Sequence, residues 1–575
     1  MSHNPHLRYE PEEKPPHLLA AGMGAQIVAM IVTGIMLTPL VVARSASMDE
    51  GTAGWLMFAA MVAAGLSTWL QVSRLGRIGS GHVMFVGSNA AFIAVSVTAL
   101  QQGGPALLAS LAALSALFTF LFTWQMPTLR RILTPAVGGI VLMLMAISVA
   151  PVVWNLMKRV PAAFAESAEV PLVVAVTVTV IFLIASFARG GLRLWAPLIG
   201  VLAGSALAGG LGMVDTAPVA AAAWIGLPKG SWAGLDLSFG IEFWALLPAF
   251  AMLSLVGCIE TYADSISVQR TSRRTARPID FRAVQGAINA DGTGSFIAGV
   301  LGTVPNTVYS TSVAVVEMTG IAARRVGWWG GLFLVLLAFC PKIAALIAAM
   351  PGPVAGGFVL MMLVLLFGHG IRMVTETPLS FEAGLALCLG FWVGFGFQQG
   401  VLFNDMLPDW ARVFLSNGTT SGGLTAMLLM TVVSLRERSR DRLSTPLAAA
   451  AIGEVQLLVR RFAGRLGWDR NAEDRLMLAA EEALLFLLAN RAREGLQTQL
   501  HVRLRRNGEQ AELEYVTAPA GTNVESALAG LEGAPEPADP EEALSLRLLR
   551  AMAREVRHLQ YHGTDCLILR VDSSA

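Results

Sequence analysis

Charge is scarce in this sequence. Of 575 residues, 14% are Asp, Glu, Lys or Arg, against 54% hydrophobic, and mean hydropathy is +0.60. A soluble chain of this length needs more polar surface than that, so the balance implies many membrane spans. Net charge is nearly absent, 41 basic against 40 acidic residues, which excludes the basic footprint of a nucleic-acid binder. Cysteine is rare as well. Cys258, Cys340, Cys388 and Cys566 are scattered without a C-x-x-C pair, so neither a disulfide framework nor a thiolate metal centre is expected. The polar start, residues 1–16, has no cleavable signal pattern, and the first apolar span is expected to direct insertion.

What is abundant is apolar runs. They cover residues 18–42, 55–72, 106–124, 135–152, 170–187, 195–211, 243–267, 328–350, 354–371, 381–397 and 421–435, about a dozen spans in all. Arginines cluster in alternate loops: Arg74 and Arg77, Arg130 and Arg131, Arg189 and Arg193, the run Arg270 to Arg282, Arg324 and Arg325, and Arg436 to Arg442. Basic loops stay on the cytoplasmic side, so both termini are expected there, with the chain in the inner (plasma) membrane.

Inside the span that begins at Phe243, Glu260 and Asp264 lie four residues apart and share one helix face. An acid at that depth costs on the order of 2.5–3.5 kcal/mol on insertion scales and marks a functional, water-accessible site. Asp264, closer to Arg270, Arg273 and Arg274, also admits the reading of a helix end among headgroups. Two further segments, 79–92 and 302–312, hold too many Gly, Ser, Thr, Asn and Pro residues for a continuous lipid-facing helix. Irregular backbone at membrane depth is tolerated only where it is buried or lines a cavity, and breaks of this kind leave half-helices whose N–H groups dock a ligand's carbonyls.

Glu260-Thr-Tyr-Ala-Asp264, Asp291-Gly-Thr-Gly-Ser295, Gly302-Thr-Val-Pro-Asn-Thr-Val-Tyr-Ser310 and Thr319-Gly320 together resemble the nucleobase–ascorbate transporter family of nucleobase:cation symporters, over residues 14–436. The resemblance implies an α-helical polytopic fold of about fourteen segments as two inverted sevens, two short strands crossing at mid-membrane, an elevator-like mechanism and a homodimer. It implies a secondary transporter, not an enzyme, whose partners are a nucleobase and membrane lipid and which needs no resident cofactor or metal. A base offers ring N–H donors and C=O acceptors. Glu260 is expected to accept from the ring, backbone around Gly87, Ser88 and Asn89 and around Ser310, Thr311 and Ser312 to meet the carbonyls, and Phe92 or Tyr309 to stack. Neighbouring carboxylates in low dielectric cannot all ionise cheaply. A proton on Asp264, Asp291 or Glu260 is therefore the expected coupling ion, with sodium the alternative. The family signature has Gln or Glu followed by Asn where this chain reads Thr311-Ser312. Glu317 is a candidate to compensate. The expected substrate is a purine such as xanthine or uric acid, ahead of uracil.

Beyond a basic linker at 437–446 the composition turns soluble. Residues 447–575 read as a small cytoplasmic α/β sandwich: helices over 447–466 and 471–494, strands over 499–505 and 511–516, a helix to His558 and a closing strand over 566–571. This part resembles histidine-kinase-like ATPase domains of the anti-sigma-factor type, with Glu482 as the retained base. Phe486 stands where the magnesium-binding Asn is expected, and the stretch from Thr517 to Gly521 replaces Asp-x-Gly-x-Gly. ATP binding is therefore not expected, and a role in regulation through a cytoplasmic protein partner is. Two other readings stay open, a membrane-tethered sensor and an inorganic-anion carrier of the same architecture. Paired acids argue against the second, because carboxylates repel anions.

Overall fold

In a bilayer each backbone N–H and C=O must be satisfied within the segment itself, and apolar runs therefore become helices. The computed structural model describes residues 7–126, 134–275, 277–375, 379–402, 406, 415, 417–436, 441–491, 499–507, 510–517, 524–525, 528, 540–562 and 564–573. Arg130, Arg131, residues 518–521 and the loop before Pro540 lie outside these. Among the described residues, nine helices are long and apolar enough to cross a membrane, or ten if one bent pair counts as a span.

In chain order the first half comprises α1 (His17–Ser45), α2 (Glu50–Ser73), β1 (Val86–Ser88), α3 (Ile93–Ser115), α4 (Leu117–Trp124), α5 (Pro135–Met157), α6 (Glu169–Phe187) and α7 (Ala196–Gly210). The second comprises α8 (Ile241–Thr271), α9 (Phe281–Val300), β2 (Asn306–Val308), α10 (Thr311–Thr319), α11 (Arg324–Ala338), α12 (Pro341–Ala348), α13 (Gly352–Thr375), α14 (Phe381–Gln398) and α15 (Gly418–Arg436). Gly104, at φ 71°, breaks α3 into two segments. Counted with that break, with α4 continuing the second part of α3 and the bent pair α11–α12 taken together, the described residues give fourteen segments, seven per half, and the third in each half opens with a short strand. Local chemistry sets several helix starts. Asp49 accepts from the Thr52 N–H at 3.0 Å ahead of α2, and Ser380 accepts from the Ala383 N–H at 3.2 Å ahead of α14.

Two compact units emerge, one of His3–Arg274 with Gly286–Val433, the other of Met1–Ser2, Thr275–Gln285 and Ser434–Ala575. In the first, α1, α2, α8 and α11 gather about the strands, while α5, α6, α7 and α13 pack on one another. One close backbone approach in the second group is at Gly139 and Gly370. A Cβ on Gly139 would come within 2.5 Å of the Gly370 carbonyl, and one on Gly370 within 2.7 Å of the Gly139 carbonyl.

Two expectations are refined here. Residues 328–350 are not one straight helix. α11 and α12 meet at 77°, because the chain turns at Phe339–Cys340 before Pro341, which cannot extend the preceding helix. Second, α9 is a 20-residue helix that hydropathy missed, being rich in polar residues that face other protein rather than lipid.

Residues 7–15 pack against the loop around Gly320. The Tyr9 backbone bridges Ile321, the N–H groups of Arg8 and Tyr9 donate to the Gly320 carbonyl, and Leu7 is buried with Val316 and Ala322. Arg273 reaches Glu10 and Glu12, and Arg274 donates to both Glu13 oxygens and to the carbonyls of Leu7 and Arg8. The Arg274 hydrogen bond holds the Glu13 carboxyl below its ordinary range. Burial works against Glu12, yet the Arg273 contact leaves it low as well.

The other unit carries a five-stranded antiparallel sheet in the order β3 (Asp441–Pro446), β4 (Gln499–Asn507), β5 (Gln510–Thr517), β7 (Asp565–Asp572), β6 (Glu555–Gln560). Leu500, Val502 and Leu504, Leu513 and Tyr515, and Leu567, Leu569 and Val571 alternate inward. They pack under α16 (Ala451–Leu466), α17 (Arg470–Arg491) and α18 (Pro540–Met552). Residues 441–446, expected to be linker, form the edge strand β3. The late helix stops at Met552, so His558 lies on β6, where Val556, His558 and their neighbours pair with β7.

Candidate functional site

β1 and β2 run antiparallel, with Val86 opposite Val308, Gly87 opposite Thr307 and Ser88 opposite Asn306. The ladder continues at both ends, from the Asn89 N–H to the Pro305 carbonyl at 3.0 Å and from the Tyr309 N–H to the Phe85 carbonyl at 2.8 Å. Side chains of other segments take the remaining backbone groups. The Phe85 N–H donates to Ser312 Oγ at 2.8 Å, and the Val86 N–H to Thr68 Oγ1 at 3.2 Å. Ser88 Oγ donates to the Ile35 carbonyl at 2.9 Å. Each strand runs straight into a helix start: Asn89 accepts from the Ala91 N–H at 2.9 Å, and α10 begins directly after Ser310. Both segments singled out by composition are thus interrupted, and their half-helix N-termini open beside the crossing.

Gly87 is the close-approach point. A Cβ there would fall 2.7 Å from both the Ile35 side chain and the Tyr309 ring. Tyr309 lies across this gap and donates its hydroxyl to the Ser88 carbonyl at 2.9 Å, so it braces the strands. Phe92 is buried at 1% exposure, its ring 5.6 Å from that of Phe250. Of the two expected stacking residues, Tyr309 is a partly exposed residue and Phe92 is not.

α8 brings the acids to the same place. Asp264 is 9% exposed and accepts from Ser310 Oγ at 2.8 Å, which ties α8 to the start of α10. Glu260, one turn earlier, is half-buried, and its carboxylate has no hydrogen-bond partner among the described residues. Asp291, on α9, accepts from Thr261 Oγ1 at 3.1 Å. The three acids therefore form one electrostatic group, in which Glu260 is the member whose carboxylate makes no hydrogen bond among the described residues. Thr311 is half-buried beside exposed Ser310, whereas Ser312 is committed to Phe85. Glu317 is exposed and nearly two turns along α10 from Thr311, so it does not stand in for the altered signature. Sequence reasoning missed Thr261 and Asn306, although both fall inside motifs it quoted.

This arrangement, interrupted segments crossing at the level of an uncompensated acid inside a bundle of membrane-length helices, defines a polytopic membrane carrier. The family model Xan_ur_permease, described as a permease family, matches residues 20–403. The chain belongs to that family, the nucleobase–ascorbate transporters, and is a permease, not an enzyme. Two similar proteins are the xanthine permeases XanP and XanQ of Escherichia coli strain K12. XanP is 27% identical over 441 residues, covering 74% of this chain and 94% of its own. XanQ is 28% identical over 441 residues, covering 74% and 93%. Among solved structures, the transmembrane domain of a cyanobacterium bicarbonate transporter, BicA, aligns at TM-score 0.45 with 13% identity, covering 73% of this chain and 99% of that one.

In the C-terminal unit, Glu482 accepts a hydrogen bond from Ser545 Oγ, and Phe486 is 4% exposed within the apolar core.

Proposed function

We propose that this permease imports a nucleobase, a purine such as xanthine or uric acid, by proton symport across the inner membrane. The observation that carries the reading is Glu260: a half-buried, unpartnered carboxylate one turn from the Asp264–Ser310 contact, next to strands whose adjoining backbone presents N–H groups. A ring N–H of the base donates to Glu260, and its carbonyls accept from backbone at the starts of α3 and α10. Gly87 lets Ile35 and Tyr309 close on the crossing, Ser88 and Asn89 hold the turn, and the partly exposed Tyr309 offers an apolar face. Thr311 is the side chain at the signature position that remains available to the base edge. The names of XanP and XanQ support a purine over uracil.

Coupling follows from the acids. With Glu260 and Asp264 both charged, the empty site carries repulsion that a proton relieves, and a neutralised site crosses the membrane field more easily. The strand-bearing group of helices then moves against α5, α6, α7 and α13 to α15, which carry the homodimer contact. Both termini lie in the cytoplasm, as the loop arginines favour, and the C-terminal unit regulates through a protein partner.

The test is uptake of radiolabelled xanthine, uric acid and uracil into proteoliposomes, with and without a pH gradient. Purine uptake accelerated by an inward proton gradient is expected, and no uptake of any of the three refutes the substrate class. Glu260→Gln removes the acceptor while keeping the shape. Uptake should fall by about a hundredfold or more, the loss of a charge-assisted bond worth roughly 1.5–3 kcal/mol together with its coupling role.

A further inference from the structure

α9 is held by two sets of partners along its length. Its first five residues belong to the C-terminal unit, which takes in Thr275–Gln285 as well as the sheet and its helices. Asp280 starts the helix, its Oδ1 accepting from the N–H groups of Arg282 and Ala283 at 3.0 and 3.1 Å. Phe281 and Gln285 follow four residues apart and so share one face. The turn that joins β6 to β7 closes on this face. Its Tyr561 N–H donates to the Thr564 carbonyl at 3.0 Å, the Tyr561 ring lies 5.6 Å from the Phe281 ring at 57°, and the His562 N–H donates to Gln285 Oε1 at 2.8 Å. Phe281, Gln285 and Tyr561 are all buried, so the contact is packed and its buried amide is used.

Later turns of the same helix serve the transport site. The Gly286 carbonyl accepts from the Gly79 N–H at 2.7 Å, and a Cβ on Gly286 would collide with the Gly79 carbonyl. The Ala287 carbonyl accepts from Gln71 Nε2 at 2.9 Å, and Asn289 Nδ2 donates to the Arg77 carbonyl at 2.8 Å. These bonds fix the entry to the segment that becomes β1. Further on, Asp291 accepts from Thr261, and Ser295 Oγ bonds both backbone groups of Asn306, the first residue of β2. A helix closed by its own i to i−4 hydrogen bonds moves as a body. Displacement of its first turn is therefore delivered to the approaches of both strands.

We infer that the β6–β7 turn is the contact through which the C-terminal unit sets the transport site, with Tyr561 and His562 holding α9 by Phe281 and Gln285. The partner of this surface is a segment of the same chain. One side of the contact lies within the family match, residues 20–403, and the other outside it, so the hold is an addition to the permease. A molecule bound to the C-terminal unit acts on the strand crossing by tightening or releasing this hold, and a bound nucleobase acts back on the unit by the same factor. The inference deepens the regulatory role given to the C-terminal unit, and it rests on the carrier reading for its uptake readout.

The test is a double-variant cycle in the full-length protein: Phe281→Ala, Tyr561→Ala and the two combined, read as purine uptake and as hydrogen exchange of the α9 amides from Ile288 to Ser295. Each single variant should shift the half-saturating purine concentration by about fivefold or more, the lower end of ordinary coupling between sites. Combining them should add nothing, because both remove one contact. Exchange over 288–295 should quicken in Tyr561→Ala, although no residue of α9 is altered. Where Tyr561→Ala leaves the C-terminal unit unfolded, Gln285→Ala, which keeps both rings, is read in the same way. Purine uptake that the folded variants leave unchanged overturns the inference, whatever the exchange, since the contact is then structural only. Additive effects of the two single variants overturn it too, because the residues then act apart. Quickened exchange in α9 with no purine uptake by the unaltered protein sinks the carrier reading and leaves the hold on α9 standing, so the two failures are distinguishable.

Discussion

Gly87 shows how little tolerance the crossing has. Its Cα is flanked by Ile35 and Tyr309 at distances that exclude any side chain, and the Tyr309 hydroxyl is already committed to the next residue's carbonyl. Gly87→Val should push Tyr309 away and part the strands, at a cost of about 1–3 kcal/mol of overpacking. Because misplacing a binding group by an ångström carries a large penalty, uptake should drop about tenfold to a hundredfold. A thermal melt beside a transport assay checks both. Ser312 makes a related point. The family signature places an amide there, but the shorter hydroxyl receives the Phe85 N–H, so the position fastens the strand whether or not it meets the substrate.

Among elements, α5 and α13 pack through mutually exposed backbone at Gly139 and Gly370. Gly370→Leu should force the helices apart and destabilise the protein by about 1–3 kcal/mol, visible as a lower melting temperature in detergent. The strap at residues 7–15 responds to acid instead. Its Glu12 and Glu13 carboxyls are held below the ordinary glutamate value, so their contribution is complete above about pH 4.3 and is lost as pH falls through the depressed folded-state values. Hydrogen-exchange protection at Arg8 and Tyr9, taken relative to the intrinsic amide rate at each pH, should be high at pH 7 and lost near pH 3. In a Glu12→Gln, Glu13→Gln double variant it should already be lost at pH 7.

The sequence made some of these elements legible and hid others, for physical reasons. Glycine, serine and proline betrayed the two interruptions because no lipid-facing helix tolerates them, and a four-residue spacing put Glu260 and Asp264 on one face. α9 was hidden because Gln285, Asp291 and Ser295 look like loop residues until other segments are known to cover them. β3 was hidden because an edge strand with Arg442 and Ser444 facing outward carries too little apolar alternation. The strap was hidden because its partners, Arg273, Arg274 and Gly320, lie more than 260 positions away.

For the whole molecule, the family match ends at residue 403, and the C-terminal sheet has its own apolar core. Phe486 is packed into that core, at a position where a magnesium ligand would have to be polar and accessible. MgATP should accordingly leave the unfolding temperature of the full-length protein unchanged, and calorimetry should record no heat of nucleotide binding. A saturable shift would assign the unit a nucleotide site after all.

The pairing of Val86 with Val308 joins residues 222 positions apart. At about 5–20 residues per second of synthesis, β1 waits on the order of ten to forty seconds for its partner to leave the ribosome. During that interval, among the described residues, Thr68 and Ile35 offer it hydrogen bonds from the half already made. A half-finished chain thus holds bare amide groups in oil, and cellular quality control has a concrete feature by which to recognise a stalled or truncated copy.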